Sequence, residues 1–185
     1  AFAPNALAGG APETVVFDAL ADWTARPEEG VKFFSGTAAY AKTIHLTRMP
    51  ATGERVLLDL GDVKNFADVT VNGMTYPTLW KPPFRVDITD AVRQADGSRP
   101  SLLLTVKVTN LWPNRMIGDD FKSADSTFAQ GKIMERRLTE WPTFILEGKP
   151  SPTGRFTFAT WGHWTKEDAP LPSGLFGPVV LRSVK

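Results

Sequence analysis

In the segment SLLLTVKVTN, Leu102, Leu104, Val106 and Val108 fall on one side of an extended chain, and Leu103, Thr105, Lys107 and Thr109 fall on the other. Period two sustained over this length specifies a β-strand with one buried face and excludes a helix, whose apolar positions recur at three and four. The same alternation returns in Val56, Leu58 and Leu60; in Ala67, Val69 and Val71; in Phe84, Val86 and Ile88; and in Phe156 and Phe158, with Arg155 and Thr157 opposite. From Thr37 to Leu46 it is weaker, with Tyr40, Ile44 and Leu46 aligned and Lys42 out of pattern. VVFD and GPVVLRSV supply strands near the two ends, for a total of about eight.

The turns agree with this reading. Asn72-Gly73 stands between VTV and MTY, where a two-residue hairpin requires φ > 0 at both central positions. Helix is scarce: the best candidate, Lys132 to Glu147, is interrupted by Pro142, which breaks it near Trp141 and leaves at most two short pieces. Many short strands punctuated by 15 glycines and 15 prolines predict an all-β fold, a jelly-roll β-sandwich. A chain of 185 residues fits one such domain. The uncharged stretch 1–12, AFAPNALAGGAP, reads as a linker or processed N-terminal segment, and 13–185 as the sandwich. One connection stands out. Between Asn110 and Gly154 no strand is convincing, and this long irregular excursion between late strands far exceeds a usual connection of about 4–6 residues.

Charge and composition exclude several function classes. The 21 basic and 20 acidic residues cancel and the basic ones form no run, so there is no field to hold nucleic acid. No apolar stretch reaches the ~18 residues of a membrane helix. With no cysteine, thiolate metal sites, thiol nucleophiles and disulfides are all absent.

The ordered set DWTARPEEGVKFFSGTAAYAKTIHL, LLDLGDVKNFADVTVNG, LWKPPFRVDITDAV, LLLTVKVTNLWPNRMIGD, WPTFILEGKPSPTGRFTFATWGHW and PLPSGLFGPVVL carries a resemblance. From Thr14 onward the chain resembles the galactose-binding-like β-sandwich of family 2-type glycoside hydrolases. Within that group it resembles the accessory domain toward the C-terminus of glycoside hydrolase family 106, the α-L-rhamnosidase-like enzymes of polysaccharide degradation. The resemblance implies a bacterial, exported parent enzyme, periplasmic or extracellular, whose catalytic carboxylates belong to a separate barrel. It also admits a structural Ca²⁺, a cation held by carbonyls and scattered acids that leave no short motif.

The residues themselves offer little catalysis. Hydrolysis of a glycoside needs two carboxyl groups roughly 5 Å or somewhat more apart, whereas Asp119 and Asp120 are chain neighbours whose side chains diverge. There is no Gly-x-Ser-x-Gly elbow, and His45 and His163 lack any metal-ligand spacing. Sugar recognition is better provided for, since it asks for an exposed aromatic ring and a few fixed polar groups. Trp112, Asn114, Arg115 and Asp119 form one such group after the surest strand, and Trp161, His163 and Trp164 form another. The expectation is that the polar members of 111–120 are displayed at one end of the sandwich. Trp23 and Trp141 read instead as packing at the core edges, and Trp80 as packing beside Pro82 and Pro83. These features lead to a non-catalytic accessory domain that meets glycan or the catalytic domain of its parent. The rival readings are a free-standing carbohydrate-binding module or lectin-like domain and, further off, a small jelly-roll lyase or hydrolase.

Overall fold

In the computed structural model, which describes residues 1–2, 10–95, 100–131 and 136–185, the alternating segment Ser101–Thr109 (β7) is an inner strand of a four-stranded antiparallel sheet. Thr37–His45 (β1) flanks it on one side; Phe66–Val71 (β4) and then Met74–Thr75 (β5) lie on the other. Ala38 and Ala67 both stand opposite Val108, and Tyr40 and Val69 both stand opposite Val106. This register puts every buried residue of the three long strands on one face: Ala38, Ala67, Val69, Val71, Leu102, Leu104, Val106 and Val108. The opposite face is rich in threonine, and Thr37 and Thr109 share a hydroxyl hydrogen bond across it.

The second layer contains Arg55–Asp59 (β2) between Arg85–Asp87 (β6) and Val180–Val184 (β9). It also contains the pair Asp62–Lys64 (β3) and Gly174–Gly177 (β8). Val56, Leu58, Leu60, Val63, Phe84, Ile88 and Leu175 project from this side into the common core. Each such side chain contributes about 1.5–3 kcal/mol on full burial. Gly61 and Gly177, at φ +67° and +73°, bridge where the two strand pairs bend, and a Cβ on Gly61 would overlap the Gly177 carbonyl. Phe2, Trp23 and Phe34 close one end in mutual edge-on contacts, with centroids 4.9–5.6 Å apart. The Trp23 indole donates to the Tyr40 hydroxyl at 2.6 Å.

Among the described residues there are also four short α-helices, Glu29–Lys32 (α1), Thr89–Arg93 (α2), Pro113–Asp119 (α3) and Thr143–Leu146 (α4), and a 3-10 turn at Trp23–Ala25. Among the described residues no helix is long and apolar enough to cross a membrane. The fold is therefore an all-β sandwich of antiparallel sheets, and the Asn72-Gly73 turn has both φ values positive, 49° and 83°.

Three local expectations differ from the structure. Val15 and Phe17 pack against the core while Val16 is exposed, yet VVFD forms no strand, because alternation without a hydrogen-bonded neighbour makes no ladder. Arg155 to Phe158 is not a strand either; the Phe156 and Thr157 amides donate to the Asp119 carboxylate instead of to another strand. Of the helical candidate, 132–135 lies outside the described residues. Arg137 and Leu138 form extended bridges, and only α4, beyond Pro142, is helical.

Candidate functional site

The long excursion leaves the sandwich at Asn110 and returns at Ser173, and buried amides staple these two points together. Asn110 donates to the Phe34 carbonyl and to the Ser173 hydroxyl, at 2.8 and 2.9 Å, and accepts from the Gly36 amide. Asn114, on α3, donates to the Leu171 carbonyl and to Ser173, and accepts from the Leu171 amide at 2.7 Å. Both side chains thus use both ends of the amide inside the protein.

One helical turn later, Asp119 is 1% exposed. Its Oδ2 accepts from the Phe156 amide, the Thr157 amide and the Thr157 hydroxyl at 2.7–2.8 Å. Its Oδ1 faces Arg115 Nε at 3.2 Å and Lys122 Nζ at 3.9 Å. The Arg115 guanidinium also lies over the Phe156 ring, 5.2 Å from its centroid. Burial pushes Arg115 down from its ordinary pKa while Asp119 opposes the shift, and burial likewise lowers Lys122. Asp120 and Arg155 extend the network to the surface: Asp120 accepts from the Lys166 amide, and Arg155 donates to the Ser123 and Lys122 carbonyls. Asn114, Arg115 and Asp119 were expected on display; they are buried, because α3 turns its polar side inward to satisfy the excursion's backbone. Trp112, at the start of α3, is exposed together with the preceding Leu111.

The second expected cluster lies beyond the staple. Residues 136–139 run between two other extended pieces of the excursion, with Leu138 donating to the Thr160 carbonyl, Gly162 to the Arg136 carbonyl, and Ala129 to the Arg137 carbonyl. Arg137 pairs directly with Trp161, so their side chains share one side of this platform. An open groove of ≈ 560 Å³ runs over it, lined by Arg137, Leu138, Thr139, Glu140, Trp141, Thr160 and Trp161. Trp161 is stacked on His163 with centroids 5.1 Å apart, and His163 meets Trp164 edge-on. His163 and Trp164 line a separate recess of ≈ 70 Å³ that also takes in Met116 of α3, far below the several hundred Å³ of a ligand pocket.

Trp141 departs from its expected role. It is 56% exposed, with one side against Phe158 at 5.8 Å and the other over the groove. Neither Trp141 nor Arg137 was singled out from the sequence as a binding residue. The available signal was the polar pair Thr139-Glu140 just before Trp141, which marks a surface run and not a core edge. Trp23 is fully buried as expected, whereas Trp80 is exposed with the Lys81 ammonium over its ring.

Among the described residues that line the groove, Glu140 is the one that carries a carboxyl group, whereas glycoside hydrolysis uses two. Among the described residues no three His, Asp or Glu side chains converge to hold a metal ion.

Comparison with known proteins gives a consistent context. No family model matches the chain. A protein of Formosa agariphila named "Putative beta-glucuronidase" is 43% identical over 168 residues, which is 90% of this chain and 14% of that protein. The solved structure of a rhamnosidase from Novosphingobium sp. PP1Y superposes with a TM-score of 0.69 at 28% identity, over 95% of this chain and 13% of that one. Almost all of this chain is therefore similar to a small part of much larger proteins named for glycoside hydrolysis.

Proposed function

We propose that this chain is a non-catalytic accessory sandwich of a bacterial, exported glycoside hydrolase acting on polysaccharide. In this reading it is a galactose-binding-like domain of an α-L-rhamnosidase-like parent, as the family 106 resemblance implies. It braces the catalytic domain and presents a surface to glycan. The observation that carries the reading is the match of nearly the whole sandwich to 13% of a rhamnosidase at a TM-score of 0.69. A domain similar to so small a share of an enzyme is a part of its architecture, and catalysis is left to the remainder.

That Glu140 is the one carboxyl among the described lining residues supports the same reading, since glycoside hydrolysis uses two. So does the investment of Asn114, Arg115 and Asp119 in stapling the excursion, since a surface loop this long is ordinarily kept for binding or docking. The gene provides the test. A reading frame that also encodes a barrel with paired carboxylates supports the proposal. A frame that encodes the sandwich alone overturns it in favour of a free-standing carbohydrate-binding module.

A further inference from the structure

We infer that the groove between Trp141 and Trp161 is a binding subsite for an uncharged pyranose glycan, with Arg137, Glu140 and Thr160 reading its hydroxyls. The inference rests on the accessory-domain reading and deepens it, because it moves the sugar contact away from Trp112, Asn114 and Arg115.

Three observations converge on this groove. The first is the pair of indoles: Trp141 and Trp161 are 56% and 44% exposed and line one open space. Each is backed by another ring, Trp141 by Phe158 and Trp161 by His163, at centroid distances of 5.8 and 5.1 Å. An indole held from behind with its other face free is a pre-organised platform for the C–H face of a sugar ring, so little side-chain entropy is lost when a sugar docks. The second is the floor. Backbone hydrogen bonds tie 136–139 to 160–162 on one side and to 127–129 on the other, which fixes Trp161 relative to Arg137.

The third is the polar equipment. Arg137 and Glu140 are exposed and both line the groove, where a guanidinium and a carboxylate can reach sugar hydroxyls. Thr160 also lines the groove. Arg137 and Glu140 set one positive and one negative group in the same groove, a balance that favours a neutral sugar over an anionic one. A volume of ≈ 560 Å³ lies within the range of small-molecule sites.

The test is saturation-transfer NMR of the 185-residue chain with methyl α-L-rhamnopyranoside, lactose, cellobiose and, as the anionic control, polygalacturonate. The variants are Trp141→Ala, Trp161→Ala, Arg137→Ala and Trp112→Ala, each checked by thermal melting. The expected result is transfer to at least one neutral sugar at about millimolar affinity. It should weaken at least about tenfold in Trp141→Ala and in Trp161→Ala, persist in Trp112→Ala, and stay constant between about 50 and 500 mM salt. If transfer is lost in Trp112→Ala and kept in the two groove variants, this inference falls while glycan contact by the domain stands. Preference for polygalacturonate, weakening with salt, overturns the neutral ligand. No transfer to any neutral sugar overturns the subsite and leaves the bracing role to be judged on the gene and on activity. Should one tryptophan variant fail to fold, Trp161→Phe and Arg137→Ala keep the comparison: the first is expected to retain binding and the second to weaken it, and the reverse outcome contradicts the assignment.

Discussion

Asp119, itself closed to water, accepts three hydrogen bonds on one oxygen and faces the buried Arg115 and the partly exposed Lys122 with the other. A buried pair of this kind gains little over a well-packed apolar pair, but removing one partner strands the other charge, at a cost of about 3–5 kcal/mol. Arg115→Ala should therefore lower the melting temperature sharply and leave glycan binding by the remaining folded protein unchanged. Thermal melting and sugar titration on the same variant check this. Weakened binding with an unchanged melting temperature would return Arg115 to the ligand-reading role its sequence neighbours suggested. That suggestion failed for a physical reason. Trp-Pro-Asn-Arg and a following aspartate constitute a sugar-reading inventory by residue type. The sequence does not disclose that the helix begins at Pro113 and turns these groups toward Leu171, Ser173 and Phe156. Residue type reports which hydrogen bonds a side chain can make, and only the fold reports that they are already taken.

At the scale of elements, the loop between β1 and β2 has its own lock. Arg48 donates to both oxygens of Glu54 at 2.6–2.7 Å, and the Ala51 amide adds a third bond. Arg93, at the end of α2, donates to the Glu54 carbonyl. The Arg48 bonds, and then the Ala51 amide, hold the Glu54 carboxyl down to about 2. A carboxyl with a depressed folded value stabilises the protein fully above its unfolded pKa of about 4.3. That contribution is lost as pH falls through this value toward 2. In urea titrations, Glu54→Gln should thus be less stable than the parent chain at pH 7, with the gap closing below about pH 4. A gap that persists unchanged at the lowest pH contradicts the role given to the ionised carboxyl.

The strands were the most legible elements, for the reason that makes them strands. β7 and β4 bury alternate residues against a core, so their patterns of leucine and valine are the fold itself, and Asn72-Gly73 supplies the two positive φ values of its hairpin. Val15 to Asp18 and Arg155 to Phe158 carry the same alternation and form no ladder, because pairing depends on a neighbour that no local pattern contains. Phe2 was equally hidden. It lies in the stretch 1–12 read as a linker, yet it packs against Trp23 and Phe34 and bridges to Ala38. The groove was half legible: Trp161 was chosen as part of an aromatic cluster, while Trp141 was read as packing at a core edge.

At the scale of the whole molecule, one sandwich core carries an excursion that is closed at its neck by Asn110, Asn114 and Ser173 and ends in a small platform with two exposed indoles. Its likeness is to a minor share of large proteins named for hydrolysing glycosides, and among the described residues that line its groove Glu140 is the one with a carboxyl group. The central claim is that this chain contributes support and contact, and not catalysis. The most direct measurement is release of nitrophenol from para-nitrophenyl α-L-rhamnoside and β-D-glucuronide by the purified chain, followed over a wide range of protein concentration. The account predicts a rate equal to the buffer blank throughout. Turnover that rises with protein concentration and is abolished by one acid-to-amide substitution, such as Glu140→Gln, would contradict it.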